Sequence, residues 1–286
     1  MEETKDIYMK INKETGELTG FYGRVITEEQ EKAIQAKRKK KMNEEDQGEF
    51  IWVLFTYCFE LFPDLSHSSI ARLFYLATFV EYDGSRLTDD NGYTFLGKRQ
   101  IKRKLNLTDK PFTTFWNEMI DNRILFEDDA HNVVINTSLF RKGPLDHKCK
   151  KDFTRVYCQC VRYVYENTKN QRDHAKLAYV FKIIPFVNRK TNIVSYNPEE
   201  QDDKKINPMT VGDFCDAIGY NRTNASRLFK ELMKFTIKGN HLLCLVAMHK
   251  LVFSGMFIIV NPEIYYGGAG HHDAQFIFDV CDKQET

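Results

Sequence analysis

The chain has 286 residues, 42% hydrophobic and 28% charged, which is ordinary globular usage and excludes a disordered or collagen-like chain. No apolar run approaches the ~18–20 residues that a membrane span needs. Lys plus Arg number 41 against 40 Asp plus Glu, a net charge of +1, so affinity for nucleic acid has to come from local clustering.

The length predicts two domains. The opening Met1-Glu2-Glu3-Thr4-Lys5 has no apolar core behind it and does not read as a signal peptide. The seven cysteines are scattered and odd in number, which fits free thiols in a reducing, cytoplasmic setting. Residues 1–49 read as an appendage. Tyr8 to Leu18 suggests a hairpin around Glu14-Thr15-Gly16, and Thr27 caps a polar helix that ends in Lys37-Arg38-Lys39-Lys40-Lys41.

Phe50 to Phe62 is dense in apolar and aromatic residues and predicts a helix stopped by Pro63. A second helix is predicted from Ser68 or Ser69 to about Tyr82, with Ile70, Leu73, Phe74, Ala77 and Val80 inward. Gly97 to Leu107 predicts a short helix, followed by a turn with Thr108 as cap and Pro111 in the first turn of the next helix. That helix carries Phe112, Phe115, Trp116, Met119 and Ile120 on one face. Ile124–Glu127 and Val133–Ile135 read as two strands around a polar turn. The order is helix, short helix, turn, helix, hairpin, that of a winged helix-turn-helix.

The pattern recurs. A shift of 113 residues carries Ile101, Leu105 and Leu107 onto Phe214, Ile218 and Tyr220, and Phe115, Trp116 and Met119 onto Leu228, Phe229 and Leu232. Upstream, Arg72–Tyr75 aligns with Lys176–Tyr179 at a shift of 104, leaving nine extra residues in the polar loop 191–207. Downstream, Ile135-Asn136 and Leu139-Phe140 align with Val260-Asn261 and Ile264-Tyr265 at a shift of 125. The second hairpin is longer, Leu242–Met248 with Phe253–Val260, and residues 150–168 predict a joining helix. The fold class expected is mainly α with small β-hairpins (α+β). The domains expected are the appendage 1–49, winged helix-turn-helix domains at 50–146 and 147–270, and a tail at 271–286.

No phosphate-binding Gly-x-x-x-x-Gly-Lys loop, dinucleotide fingerprint or nucleophile elbow is present, so no catalytic residue, cofactor or metal ligand is assigned and a non-enzyme is expected. Cys158 and Cys160 read as core thiols rather than zinc ligands. The first module's short helix carries Lys98, Arg99, Lys102, Arg103 and Lys104, five cations in seven residues, the footprint of phosphate contacts. The next helix offers Thr108, Lys110, Thr113, Thr114 and Asn117 to DNA bases. The second module offers Arg222, Thr223, Asn224, Ser226, Arg227 and Lys230, with Asn221 read as the helix cap; its short helix is acidic, with Asp213 and Asp216. His131, Asn132, Lys238 and Asn240 on the hairpins are placed to reach a minor groove or phosphate.

The tandem order of these modules resembles the plasmid replication initiators of the Rep family. Ile258–Gly268 is similar to the close of the small winged-helix replication proteins of Firmicute plasmids, and Ser69–Thr78 to helix-turn-helix proteins encoded by phages of those bacteria. The resemblance covers about 60–270 and implies sequence-specific binding of double-stranded DNA by a transcription regulator or replication initiator in a bacterial host cytoplasm. A homodimer and a replication or transcription protein are the further candidate partners. A module that binds a partner protein instead of DNA is the rival reading, favoured in the second half by its acidic short helix and longer hairpin.

Overall fold

The computed structural model describes residues 9–11, 18–21, 48–54, 64–145, 153–237, 239–250 and 253–266. The N-terminal unit contributes one antiparallel ladder, β1 (Met9–Ile11) with β2 (Leu18–Phe21), where a hairpin is expected. The basic helix expected over 27–41 and the tail 271–286 lie outside the described residues. Residues 47–268 belong to a separate compact unit of helices and small antiparallel sheets.

In this second unit, β3 (Phe50–Leu54) leads to α1 (His67–Ala77), α2 (Lys98–Lys104) and α3 (Asp109–Asp121). The hairpin β4 (Leu125–Glu127) with β5 (Val133–Ile135) follows, then β6 (Phe140–Arg141). Ser66 starts α1 by accepting the Ser69 N–H, and the helix is buried from Ser69 to Ala77. It stops five residues before the predicted Tyr82. The Phe79 carbonyl takes the Thr88 N–H at 2.8 Å and Val80 bridges Leu87, so this stretch is committed to a ladder instead.

Two predicted helices are corrected. Residues 50–54 form a strand, and 153–157 form β7 (Phe153–Tyr157) before α4 (Cys158–Asn167) begins. In β3, Ile51 and Val53 are fully buried while Phe50 and Trp52 are partly exposed. That is a period of two, hidden in the sequence because every position is apolar. Residues 55–63 lie outside the described residues.

The second half continues with α5 (Gln171–Lys182), a 3-10 turn Ile184–Phe186, α6 (Val211–Ala217), a 3-10 turn Arg222–Asn224 and α7 (Ala225–Leu232). The small ladder β8 (Thr236–Ile237) with β9 (Asn240–His241) precedes the long hairpin β10 (Leu243–Lys250) with β11 (Phe253–Val260), and β12 (Tyr265–Tyr266) ends the unit.

The two halves share a set of elements and bridges. A shift of 103 lays β3 on β7, a shift of 113 lays α2 on α6, and a shift of 125 lays β6 on β12. The isolated bridges Val80–Leu87, Thr88–Phe95, Arg86–Val134 and Gly97–Asn132 each have a counterpart, Val187–Val194, Ser195–Pro208, Ile193–Ile259 and Thr210–Phe257. Asn136 donates its side-chain amide to the Arg123 carbonyl and accepts from the Ser138 N–H; Asn261 does the same with the His241 carbonyl and the Glu263 N–H.

The register of the core helix differs from the sequence alignment. Val80–Leu87 meets Val187–Val194 at a shift of 107, not 104. The same shift carries the buried Ile70, Leu73, Phe74 and Ala77 onto Leu177, Val180, Phe181 and Ile184. A slip of three residues is close to one helical turn and keeps the apolar stripe in place, so the pattern alone cannot choose. The extra loop is then six residues, not nine.

Where the halves meet they follow a local two-fold axis. The four-stranded sheet runs β12-β7-β3-β6, with β3 and β7 antiparallel at its centre. Its register centres on Trp52 opposite Arg155, with Phe50 opposite Tyr157 and Leu54 opposite Phe153, so each pair maps onto another under exchange of halves. Above the sheet α1 packs on α5, and the matched Phe74 and Phe181 stack face to face, centroids 4.2 Å apart and planes at 7°.

Candidate nucleic-acid interface

The α2–α3 turn needs a left-handed residue after α2. Asn106 supplies it at φ 50°, and Gly219 supplies it at φ 69° after α6. In both turns the backbone closes identically: Leu107 N–H to the Lys102 carbonyl and Asn106 N–H to that of Arg103, matched by Tyr220 to Cys215 and Gly219 to Asp216. Ile101 and Phe214 are fully buried beneath these helices. The same short helix and turn are therefore present in both halves, followed by α3 in the first and by the 3-10 turn and α7 in the second.

The turn of the first half borders an open hollow of about 800 Å³ lined by residues that include Arg99, Lys102, Arg103, Asn106, Asp109 and Thr113. The five cations of α2 are not equivalent. Lys104 keeps 12% of its side chain exposed, sits 3.6 Å from the Phe79 ring centroid and pairs with Asp90 at 2.9 Å. It belongs to the scaffold, which weakens its assignment as a contact residue. Lys102 pairs with Asp109 across the turn, and Lys98 lies 4.7 Å above the Trp116 ring. Arg99, Arg103 and Lys110 are exposed and make no ion pair among the described residues.

On α3, Thr108, Lys110, Thr113, Thr114 and Asn117 are all exposed. Thr108 occupies the cap position without a side-chain capping bond, unlike the expected Thr cap. The Thr113 and Thr114 hydroxyls donate to the carbonyls of Asp109 and Lys110, at 2.9 and 3.2 Å. Each hydroxyl is left with acceptor capacity. Ile120, expected on the buried face, is 39% exposed at the end of the stripe.

In the second half Asn221 caps the 3-10 turn, accepting the Thr223 N–H and hydroxyl. Arg222 is held by two carboxylates of α6, Asp216 at 2.5 Å and Asp213 at 3.2 Å. Its guanidinium lies against Gly212, where a Cβ would meet Nε at 2.9 Å. Those contacts weaken its assignment as a base reader. Thr223, Asn224, Ser226, Arg227 and Lys230 are exposed, and neither Arg227 nor Lys230 has an ion pair among the described residues.

On the first hairpin, Asp128 accepts from the N–H groups of Asn132 and Ala130 and from Arg86. These bonds, that of Asn132 foremost, hold its carboxyl at about 2. Asn132 is thus part of the turn, while His131 is exposed at φ 60°. Asn240 is half-buried, and Lys238 lies outside the described residues. Cys158 and Cys160 are buried, and burial pushes the Cys158 thiol up to about 11. Among the described residues no group of His, Cys, Asp or Glu is arranged to hold a metal, and no helix is long and apolar enough to cross a membrane.

What sequence reasoning missed is the carboxylate that ties each third helix to its core helix. Glu118 accepts from the backbone and hydroxyl of Ser66, at 3.2 and 3.1 Å. Its counterpart Glu231 pairs with Lys176 and Lys234, which hold it at about 2. The only sequence signal was an acid at the same place in both repeats. No protein-family model matches the chain, and neither a curated protein nor a solved structure matches it.

Proposed function

We propose that the protein is a non-enzymatic, sequence-specific binder of double-stranded DNA, acting through two winged helix-turn-helix modules as a transcription regulator or replication initiator of phage or plasmid type. The observation that carries this reading is the set Arg99, Arg103 and Lys110. These are three exposed cations without ion pairs among the described residues, around the α2–α3 turn of a chain whose net charge is only +1. Beside them α3 offers Thr113, Thr114 and Asn117 at the spacing of a base-reading face.

A second reading, a partner-protein surface, is favoured for the second half alone. There Asp213 and Asp216 make α6 acidic and occupy Arg222, a poor surface for phosphate.

The test is a titration of the full chain against duplex DNA at two salt concentrations. Each phosphate contact contributes about 0.9 to the slope of log K against log salt. Replacing Arg99 and Arg103 by Ala is expected to lower that slope by nearly two and to weaken all sequences alike. An unchanged slope removes α2 from the interface.

A further inference from the structure

We infer that Asn91 is a self-modifying site: the backbone nitrogen of Gly92 converts its side-chain amide into a carboxylate, which sets a negative charge beside the end of α2. The chemistry stands alone, and its effect on binding rests on the DNA-binding reading above. The chain has one Asn-Gly step, at 91–92. It lies in the exposed turn between the bridged residues Thr88 and Phe95, outside any helix or strand. Gly92 has φ 78°, and a Cβ built there would meet nothing within 4 Å, so the turn is open around its nitrogen. The Gly92 N–H donates to the Asp89 carbonyl at 3.1 Å, a bond at the surface of the turn.

The nitrogen gives its proton to solvent base and attacks the Asn91 Cγ. The Cγ–Nδ2 bond breaks, and the leaving nitrogen takes up a proton and departs as ammonia, which closes a five-membered imide. Water then opens the ring at either carbonyl. One opening yields aspartate. The other yields isoaspartate, whose backbone runs through the side chain and is longer by a methylene.

The product is placed to matter. Asp90 already pairs with Lys104, the last residue of α2, at 2.9 Å. That lysine is taken, so a second carboxylate at 91 adds negative charge near the helix end that bears the exposed Arg103. Isoaspartate also lengthens a turn closed by the Asp89 carboxylate, which accepts from the Tyr93 and Thr94 N–H groups at 3.1 and 3.3 Å. The second half is spared. Ser195 and Pro208 match Thr88 and Phe95, and the asparagines between them, Asn197 and Asn207, each precede a proline. Proline has no backbone N–H to lose, so neither can close the imide by this route. Conversion therefore lowers the charge of the cationic half alone.

The experiment ages the full chain at neutral and at mildly acidic pH and maps its peptides by mass spectrometry. The result expected is an amide converted to a carboxyl at Asn91, mostly as isoaspartate, and faster at the higher pH because the Gly92 nitrogen must lose its proton. Asn91→Gln is expected to stay unconverted, since its longer side chain would have to close a larger ring. Asn91 is exposed, so the variant should keep the fold. Aged protein and Asn91→Asp are expected to bind duplex DNA about threefold more weakly than fresh protein at low salt, a difference that shrinks in high salt as charges are screened. Aged Asn91→Gln keeps its affinity. An unconverted Asn91, or conversion spread evenly over the exposed asparagines, overturns the inference. Conversion without loss of affinity overturns its effect on binding. Fresh protein that binds no duplex overturns the DNA-binding reading, while the modification stands.

Discussion

The two halves of the 47–268 unit share a scaffold and carry opposite charge on their short helices, α2 and α6. From Lys98 to Asp121 there are six cations and three acids, with all five cations of α2 unopposed on that helix. From Val211 to Lys234 there are four cations and three acids, and both charges on α6 are negative. At matched positions Arg103 becomes Asp216 and Asp109 becomes Arg222. The first half closes its turn with Lys102 on Asp109, the second with Asp216 on Arg222, an ion pair of reversed sign made from the next position of the short helix. Backbone bonds, a left-handed turn residue and a few buried side chains hold the shape, and the outer charges vary freely around them.

The largest effects are expected where the halves meet. Phe74 and Phe181 are 0% and 1% exposed and stack on each other. Truncating either to Ala leaves a cavity beside its partner and is expected to cost about 3–5 kcal/mol. Because the two are counterparts, the losses should be alike, and the double variant should lose less than their sum. Urea denaturation of the three variants checks this. Strictly additive losses would show that the stack is not a shared contact.

A smaller and unequal effect is expected at the paired asparagines. Asn261 is fully buried and Asn136 is half-exposed, yet both bridge the same two backbone groups. Asn261→Ala removes a buried side chain that serves two part-buried backbone groups and is expected to cost about 1–3 kcal/mol, while Asn136→Ala, which water can repair, should cost about 1. Equal losses would mean that burial does not distinguish the two sites.

These pairs also show how far the sequence could be read. The short helix, turn and third helix were legible because their apolar residues recur at i, i+3 and i+4 in both repeats without a gap. The strands at 50–54 and 153–157 were not, because aromatic and β-branched residues fill both faces and erase the period of two. The core-helix register was misjudged because a three-residue slip preserves the stripe; only the ladder partners of Val80 and Val187 settle it. The cationic cluster could be seen, but not its division into a half-buried Lys104, a paired Lys102 and the exposed Arg99 and Arg103. That division depends on Asp90, Phe79 and Asp109, which the fold alone brings together.

Acid should expose a further counterpart pair. His67 and His174 match at the shift of 107, and burial lowers both, helped by Lys182 and Arg72 respectively. The Lys182 Nζ lies 2.9 Å from His67 Nε2, and His174 Nε2 donates to the Tyr165 carbonyl at 3.1 Å. A histidine with a lowered folded pKa binds more protons when unfolded. Its contribution is therefore complete above the ordinary value of about 6.5 and is lost as pH falls below it. The urea midpoint should drop between pH 7 and pH 5, and His67→Gln with His174→Gln should flatten that drop. An unaltered pH profile would assign the acid sensitivity elsewhere.

The smallest effect is expected at the reversed ion pair. Arg222 makes two carboxylate contacts, but its side chain is 56% exposed and water screens it. Arg222→Ala should therefore cost the least stability of these variants. The loss should shrink further in salt, because the screening length falls to about 3 Å at 1 M. Its effect on DNA affinity separates the two roles open to α6. If the arginine only neutralises Asp213 and Asp216, removing it bares two acids beside the turn. Binding then weakens for every sequence. If it reaches a base, the loss falls at one position of the DNA site. A variant that also replaces Asp213 and Asp216 by Asn decides between them, since it restores affinity in the first case and leaves the defect in the second.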